Sequence, residues 1–167
     1  AESAAGSYPI EAVTTMHNVA SEVEADPTYT EIIEASRKAE RKSVADGIVA
    51  AAREIAETTD VKAICCFSQS GTTALLVSRE RPRVPIIALT NHIITARRLC
   101  LSWGTNCVVT GHVDRFKDAV IEAVRAARAQ NLATETDMVV VTAGVPFNTP
   151  GSTNILRVAP CAERLFY

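Results

Sequence analysis

Two turns rich in hydroxyls and glycine, each at the end of a short apolar run, concentrate the chemistry this chain could do. The first, Ser68-Gln69-Ser70-Gly71-Thr72-Thr73, follows the run Val61-Lys62-Ala63-Ile64-Cys65-Cys66-Phe67. The second, Gly144-Val145-Pro146-Phe147-Asn148-Thr149-Pro150-Gly151-Ser152-Thr153-Asn154, follows Asp137-Met138-Val139-Val140-Val141-Thr142-Ala143. A buried strand that empties into small polar residues and then starts a helix leaves backbone N–H groups pointing outward. The helix dipole adds partial positive charge at that point, and hydroxyls add further donors. Such a turn suits a phosphate and carries no group that would transform one. The candidate cradle is Ser68, Gln69, Ser70, Gly71, Thr72 and Thr73. Gly144, Phe147, Gly151, Ser152 and Thr153 make a candidate second wall, stiffened by two prolines, that would touch the rest of the ligand. Plainer readings stand beside both: Ser70 as a simple helix cap, and the second turn as an ordinary connection to an edge strand.

Other chemistry is poorly supplied. No Lys follows Gly71, so the first turn is not a Walker loop, and G-x-G-x-x-G is absent. His17, His92 and His112 are dispersed, with no His or Cys partner at ligand spacing, and read as surface or cap residues. Ser70 has no G-x-S-x-G context and no evident His or Asp partner. Neither a catalytic set nor a metal set emerges. Arg97-Arg98 read as a solvated helix face, and Arg79, Arg81 and Arg83 around Pro82 as solvent or subunit contacts. The five cysteines are Cys65, Cys66, Cys100, Cys107 and Cys161, an odd number without C-x-x-C spacing. They read as buried, reduced and inert thiols, which points to the cytoplasm. Cys65 and Cys66, adjacent in a strand, should face opposite ways.

The elements that must position the two turns follow from periodicity. Pro9 suits the first turn of a helix whose apolar stripe is Ile10, Val13, Met16, His17, Ala20 and Val23. Residues 1–8 before it are loop-like. Asp26-Pro27 stops that helix, and a polar helix over 29–39 follows. Neither helix pairs with a strand, so this piece should pack on something outside the chain. Ser43 then caps a helix with the inward stripe Val44, Ile48, Ala52, Ile55 and Ala56. After it come strand 61–67, helix 71–80, strand 85–90, helix 92–102, strand 107–110, helix 113–130 and strand 137–143. Strands apolar at consecutive positions, alternating with amphipathic helices, mean a parallel sheet covered on both faces. Residues 155–159 form a fifth strand with no helix before it, which is easiest as an antiparallel edge. The expected fold is α/β: a three-layer α/β/α sandwich with a five-stranded, mostly parallel sheet and one antiparallel edge strand. If strands 61–67 and 137–143 are neighbours where the winding reverses, both turns face one pocket.

Composition sets the outer limits. The chain has 167 residues, enough for one full core. Its apolar fraction of 47 % and charged fraction of 22 % are those of a globular domain. A net charge of −2 gives no electrostatic case for nucleic acid or an anionic membrane. No apolar run reaches the roughly 20 residues of a membrane span, and the N-terminus has no signal-peptide pattern. The chain begins with Ala rather than Met, as a fragment or a trimmed piece would.

Several ordered motifs make the chain similar to the C-terminal portion of pyruvate kinase, of the bacterial type. Glu2-Ser3-Ala4-Ala5-Gly6-Ser7-Tyr8-Pro9-Ile10-Glu11-Ala12-Val13 resembles the family's G-E-T-A-x-G-x-Y-P-x-E-A-V stretch. Ser68-Gln69-Ser70-Gly71-Thr72-Thr73-Ala74 resembles its effector-phosphate loop, and Arg81-Pro82-Arg83-Val84-Pro85-Ile86-Ile87-Ala88-Leu89-Thr90 its R-P-x-x-P-I-I-x-x-T run. Thr95-Ala96-Arg97-Arg98, Trp103-Gly104 and Gly151-Ser152-Thr153-Asn154 continue the likeness. The resemblance implies residues 1–26 as the last loop and helix of a catalytic barrel and 27–167 as a regulatory α/β domain. It further implies a cytoplasmic homotetramer that transfers phosphate from phosphoenolpyruvate to ADP with magnesium and potassium. The metal ligands and catalytic lysine belong to barrel segments before residue 1, so this piece should be catalytically silent. Family members activated by sugar bisphosphates often carry basic residues in the effector loop. Gln69 and Thr72 stand there here, and Phe147 replaces a charged or polar residue of some relatives, which favours a monophosphate. Two other classes remain open: a free-standing small-molecule phosphate sensor, and a purely structural assembly module.

Overall fold

A computed structural model describes residues 2–36, 43–147, 149 and 152–162. Its contacts divide the chain into two compact units, Ala1–Glu40 and Arg41–Tyr167. The helix after Asp26-Pro27 therefore groups with the first unit, whereas the sequence reading places its boundary at residue 26.

The first unit is helical: α1 (Glu2–Ala5), α2 (Pro9–Ala25) and α3 (Pro27–Ser36). The single turn α1 corrects the loop expected there. Alanines favour helix, and Glu2 stands in the first turn, where the dipole welcomes a carboxylate. Pro9 opens α2 as expected, and Asp26 ends it in an extended conformation. The Asp26 carboxylate accepts the Thr28 N–H at 2.7 Å, so α3 starts at Pro27, two residues earlier than expected. Positions 37–39 of that expected helix lie outside the described residues. Ile10, Val13, Met16, Val19 and Val23 of α2 are all more than half exposed.

The second unit opens with α4 (Val44–Thr58). Ser43 Oγ accepts the Asp46 N–H at 3.1 Å while the Asp46 carboxylate accepts the Ser43 N–H at 3.2 Å, a reciprocal cap. The buried face of α4 is Ala45, Val49, Ala50, Ala52 and Ala56, which keeps Ala52 and Ala56 of the expected stripe and replaces Val44, Ile48 and Ile55. Val44 is 70 % exposed, and Ile48 and Ile55 are half-buried at the flanks. The same helical spacing runs through both stripes, and the smaller residues win because they let the helix settle closer to the sheet.

The sheet contains β1 (Val61–Phe67), β2 (Ile86–Thr90), β3 (Thr105–Val109), β4 (Met138–Gly144) and β5 (Thr153–Pro160), in the order β3-β2-β1-β4-β5. All neighbours are parallel except β4 and β5. Helices α5 (Thr72–Glu80) and α6 (Ile93–Leu99) join α4 on one face, and α7 (Phe116–Ala129) covers the other. Cys65 belongs to the α7 side and Cys66 to the opposite core, as alternation requires. The α/β/α sandwich with one antiparallel edge strand is the expected fold. Four boundaries differ by two residues or more, one being the start of α7 at Phe116 rather than at 113. Helix α6 stops at Leu99 and turns carry the chain to Gly104, at φ 63°. The Gly104 carbonyl accepts the Ile86 N–H at 2.9 Å, so β3 enters register at Thr105. Strand β5 begins at Thr153, two residues early.

Arg79 and Arg83 are exposed, as the solvent reading expects, and each of the three arginines around Pro82 also has a partner within this unit. Arg79 pairs with Asp46 at 2.9 Å, and Arg81 stacks 4.6 Å over the Trp103 ring. Arg83 donates to the carbonyls of Ala56 at 2.7 Å and Thr59 at 2.8 Å. A guanidinium there holds the last carbonyls of α4, where a helix favours positive charge. Arg97 and Arg98 are exposed, as expected.

Candidate phosphate site

Strand β1 lies between β2 and β4, so the winding reverses beside it. From β1 the chain steps through β2 to β3, then returns across the sheet to β4. Parallel pairing of Cys65 with Val141 and Cys66 with Thr142 brings the ends of β1 and β4 together. The two polar turns leave those ends side by side. They open onto one cleft of about 600 Å³, solvent in its mouth included.

Four of the six candidate residues in the first turn line this cleft: Ser68, Gln69, Ser70 and Thr73. Gly71 and Thr72 stand behind them as its frame. Gly71 is the N-cap of α5 at φ 87°, a conformation glycine adopts without penalty. A Cβ there would press within 3.2 Å of the Thr95 and Leu99 side chains on α6. Ser68 Oγ accepts the Gly71 N–H at 3.0 Å, and Ser70 Oγ lies 2.9 Å from Thr72 Oγ1. Ser70 Oγ is also 3.4 Å from the Thr72 N–H, a long contact, so Ser70 is a weak cap at most. The Gln69 carbonyl accepts from Thr95 Oγ1 at 2.8 Å, fixing the turn on α6 from below. The first-turn N–H groups of α5 face outward from this frame.

The second turn contributes Gly144, Phe147, Ser152 and Thr153, joined by Thr149. Gly151, with Asn148 and Pro150, lies outside the described residues. Thr73 and Thr153 are each 4 % exposed, and their hydroxyls bond to one another, tying the two turns together. Asn154 clamps the base of the loop. Its Oδ1 accepts the Val145 N–H at 2.9 Å and its Nδ2 donates to the Val145 carbonyl at 2.6 Å. Ser152 Oγ donates to the Thr149 carbonyl at 2.7 Å, and a Cβ on Gly144 would collide with Ser152. These contacts tie the two described ends of the turn to one another. Val145-Pro146 is a cis peptide.

A third stretch of wall was missed at the sequence level: Thr90 at the end of β2 with Asn91 after it, and Thr110, Gly111 and His112 after β3. A signal for it exists, because every parallel strand must deliver its carboxyl end to the same edge. His112 Nε2 bonds Asp114 at 2.8 Å, with both side chains more than half exposed. Among the described residues the lining holds neither Lys nor Arg, so its donors there are neutral hydroxyls and N–H groups, with His112 the one titratable side chain among them. Among the described residues no three His, Cys, Asp or Glu side chains gather as a divalent cation would need. No helix among the described residues is long and apolar enough to cross a membrane.

Comparison with known proteins agrees with this architecture. The family described as "Pyruvate kinase, alpha/beta domain" matches residues 46–159. The chain is 40 % identical over 159 residues to a pyruvate kinase of Methylorubrum extorquens, covering 95 % of this chain and 33 % of that protein. It is 38 % identical over 164 residues to a pyruvate kinase of Geobacillus stearothermophilus, covering 98 % of this chain and 28 % of that one. A solved pyruvate kinase from Cryptosporidium parvum superimposes with a TM-score of 0.82 at 26 % identity, over 96 % of this chain and 32 % of its own. The chain thus spans about a third of the length of the curated relatives it matches. With five strands in the same α/β arrangement and a family match running from α4 to β5, the chain belongs to the pyruvate kinase alpha/beta domain family.

Proposed function

We propose that this chain is the regulatory and assembly part of a cytoplasmic pyruvate kinase and binds the phosphate of a small phosphorylated effector. The barrel to which it would attach transfers phosphate from phosphoenolpyruvate to ADP with magnesium and potassium, and the whole assembles as a homotetramer. Residues 1–26 are then the end of that barrel and 27–167 the regulatory domain. The single observation that carries the reading is the parallel pairing of β1 with β4, which sets the Ser68–Thr73 turn against the Gly144–Thr153 turn. The chain by itself turns over no phosphoenolpyruvate on this reading, since the metal ligands and catalytic lysine that the resemblance implies belong to the barrel.

The chemistry of the lining decides the class of effector. Each neutral hydrogen bond contributes on the order of 1 kcal/mol net, and about 1.5–3 where the partner is ionised. Three or four such bonds, less the cost of association, give micromolar to millimolar affinity. A sugar or nucleoside monophosphate suits that range and a tightly held bisphosphate does not. Titration calorimetry of both classes of monophosphate into the wild type, Ser70→Ala and Ser70→Asp tests this. The expected outcome is binding to the wild type, weakening of about fivefold in Ser70→Ala, and loss in Ser70→Asp, whose carboxylate repels the phosphate. Equal affinity in all three places the ligand elsewhere. Absence of binding by any of them favours a purely structural module.

A further inference from the structure

The sheet ends in β5 on one side and in β3 on the other. Strand β3 pairs with β2 alone among the described strands, in unbroken register over Thr105–Val109. The Thr110 N–H donates to the Thr90 carbonyl at 2.9 Å, so alternation turns the N–H groups of Cys107 and Val109 away from β2. Thr105, the third outward residue, already donates its N–H to the Ser102 carbonyl at 3.3 Å. Sheet edges are commonly guarded by lysine, proline or a bulge, and Thr105-Asn106-Cys107-Val108-Val109 has none of these. Helix α6 packs on the same side of the sheet, with Leu99 in the core that Cys107 joins. Its Thr95 holds the Gln69 carbonyl and its Leu99 lies against Gly71, so that flank faces β1. At 100° per residue, Ile93, Arg97 and Cys100 come round to the opposite flank, toward the open edge. Ile93 and Val109 are each 51 % exposed. Arg97 is exposed and has no hydrogen-bond or ion-pair partner among the described residues. From Thr90 to Val113 the chain contains neither Asp nor Glu.

We propose that the β3 edge is a docking site for an extended acidic segment of a partner protein, which adds a strand beside β3. The outward N–H groups of Cys107 and Val109 supply main-chain hydrogen bonds, which hold any extended peptide whatever its side chains. Selection comes from the α6 side. Apolar side chains of the added strand cover Ile93 and Val109, and a carboxylate meets the Arg97 guanidinium. A second copy of β3 would satisfy the same backbone groups. It would also bring two Arg97 side chains together about one twofold axis, with no acidic residue between Thr90 and Val113 to offset them. Like charge therefore disfavours the copy and opposite charge favours the acidic segment. The surface lies along the side of β3, whereas the phosphate cleft opens at the carboxyl ends of the strands. Docking thus stands whether or not the cleft takes a phosphate.

The test titrates the whole chain with a short blocked peptide of valine and glutamate, and with its counterpart carrying lysine for glutamate. Amide shifts and hydrogen exchange are read by NMR. The expected result is binding of the glutamate peptide with slowed exchange at the Cys107 and Val109 amides. The lysine peptide should bind about tenfold more weakly, and added salt should narrow that gap. Arg97→Glu, a surface change, should reverse the preference. Val109→Pro removes an outward donor without touching the β2 ladder and should abolish binding. Slow exchange at Val108 and Thr110, whose N–H groups face β2, checks that this variant keeps its fold. Equal affinity for the two peptides overturns the proposal, as does no binding of the glutamate peptide to the wild type. So does protection that appears along β5 instead, or protection at Cys107 and Val109 that grows with protein concentration in the absence of peptide.

Discussion

At Gly71 a hydrogen in place of a side chain decides whether the phosphate turn can close. The residue holds φ 87° and its α-hydrogen faces Thr95 and Leu99, so an added methyl meets both backbone strain and the α6 side chains. Gly71→Ala should destabilise the fold by about 1–3 kcal/mol, read as a lowered urea midpoint with an unchanged slope. An unchanged midpoint would show that α6 gives way freely. At the same scale, the sequence picked out the hydroxyls of Ser68–Thr73 by type but could not assign their partners. Ser68 turns back to its own turn, Thr73 joins Thr153 eighty positions away, and only Ser70 combines exposure with a place in the lining. Those differences depend on which atoms the second turn brings close, and no local rule contains them.

Strand β1 sets the pH response of the second unit. Its two central thiols are fully buried, one on each face. Burial pushes Cys65 well above the ordinary thiol value of 9.0 and Cys66 up to about 12. With the folded values raised, the neutral thiols contribute stability that is fully present below the unfolded value. Above it the unfolded chain loses those protons while the folded strand keeps them, so stability falls with pH. Thermal melts should therefore show Tm constant up to about pH 9 and declining beyond it. Cys66→Ala, itself less stable from the lost packing, should show a shallower decline. Equal slopes in the two proteins would assign the alkaline loss to other groups. The reading of α4 shows the limit at this scale: two stripes share one helical period, and residue size against the sheet selects between them.

Assembly belongs to the whole molecule. The α2 stripe is exposed, and β5 pairs with β4 on one side and ends the sheet on the other. An open strand edge and an uncovered apolar stripe both favour association, and a twofold closes such contacts without propagating a fibre. Light scattering across a concentration series should show at least a dimer, and a monomer at every concentration would reject this. The alternation of apolar runs with amphipathic segments by itself determined the layer order, the parallel sheet and its antiparallel edge. Each of those follows from local period and from where the chain places hydroxyls, glycine and proline. Tertiary structure alone decided that the ends of β1 and β4 are neighbours, that Asn91 and His112 complete the cleft wall, and that Arg79, Arg81 and Arg83 bind within their own unit. The physical reason is common to all of these. Periodicity reports which face of an element is buried, whereas a site is made where the ends of several elements converge, and convergence is fixed by the order of strands in the sheet.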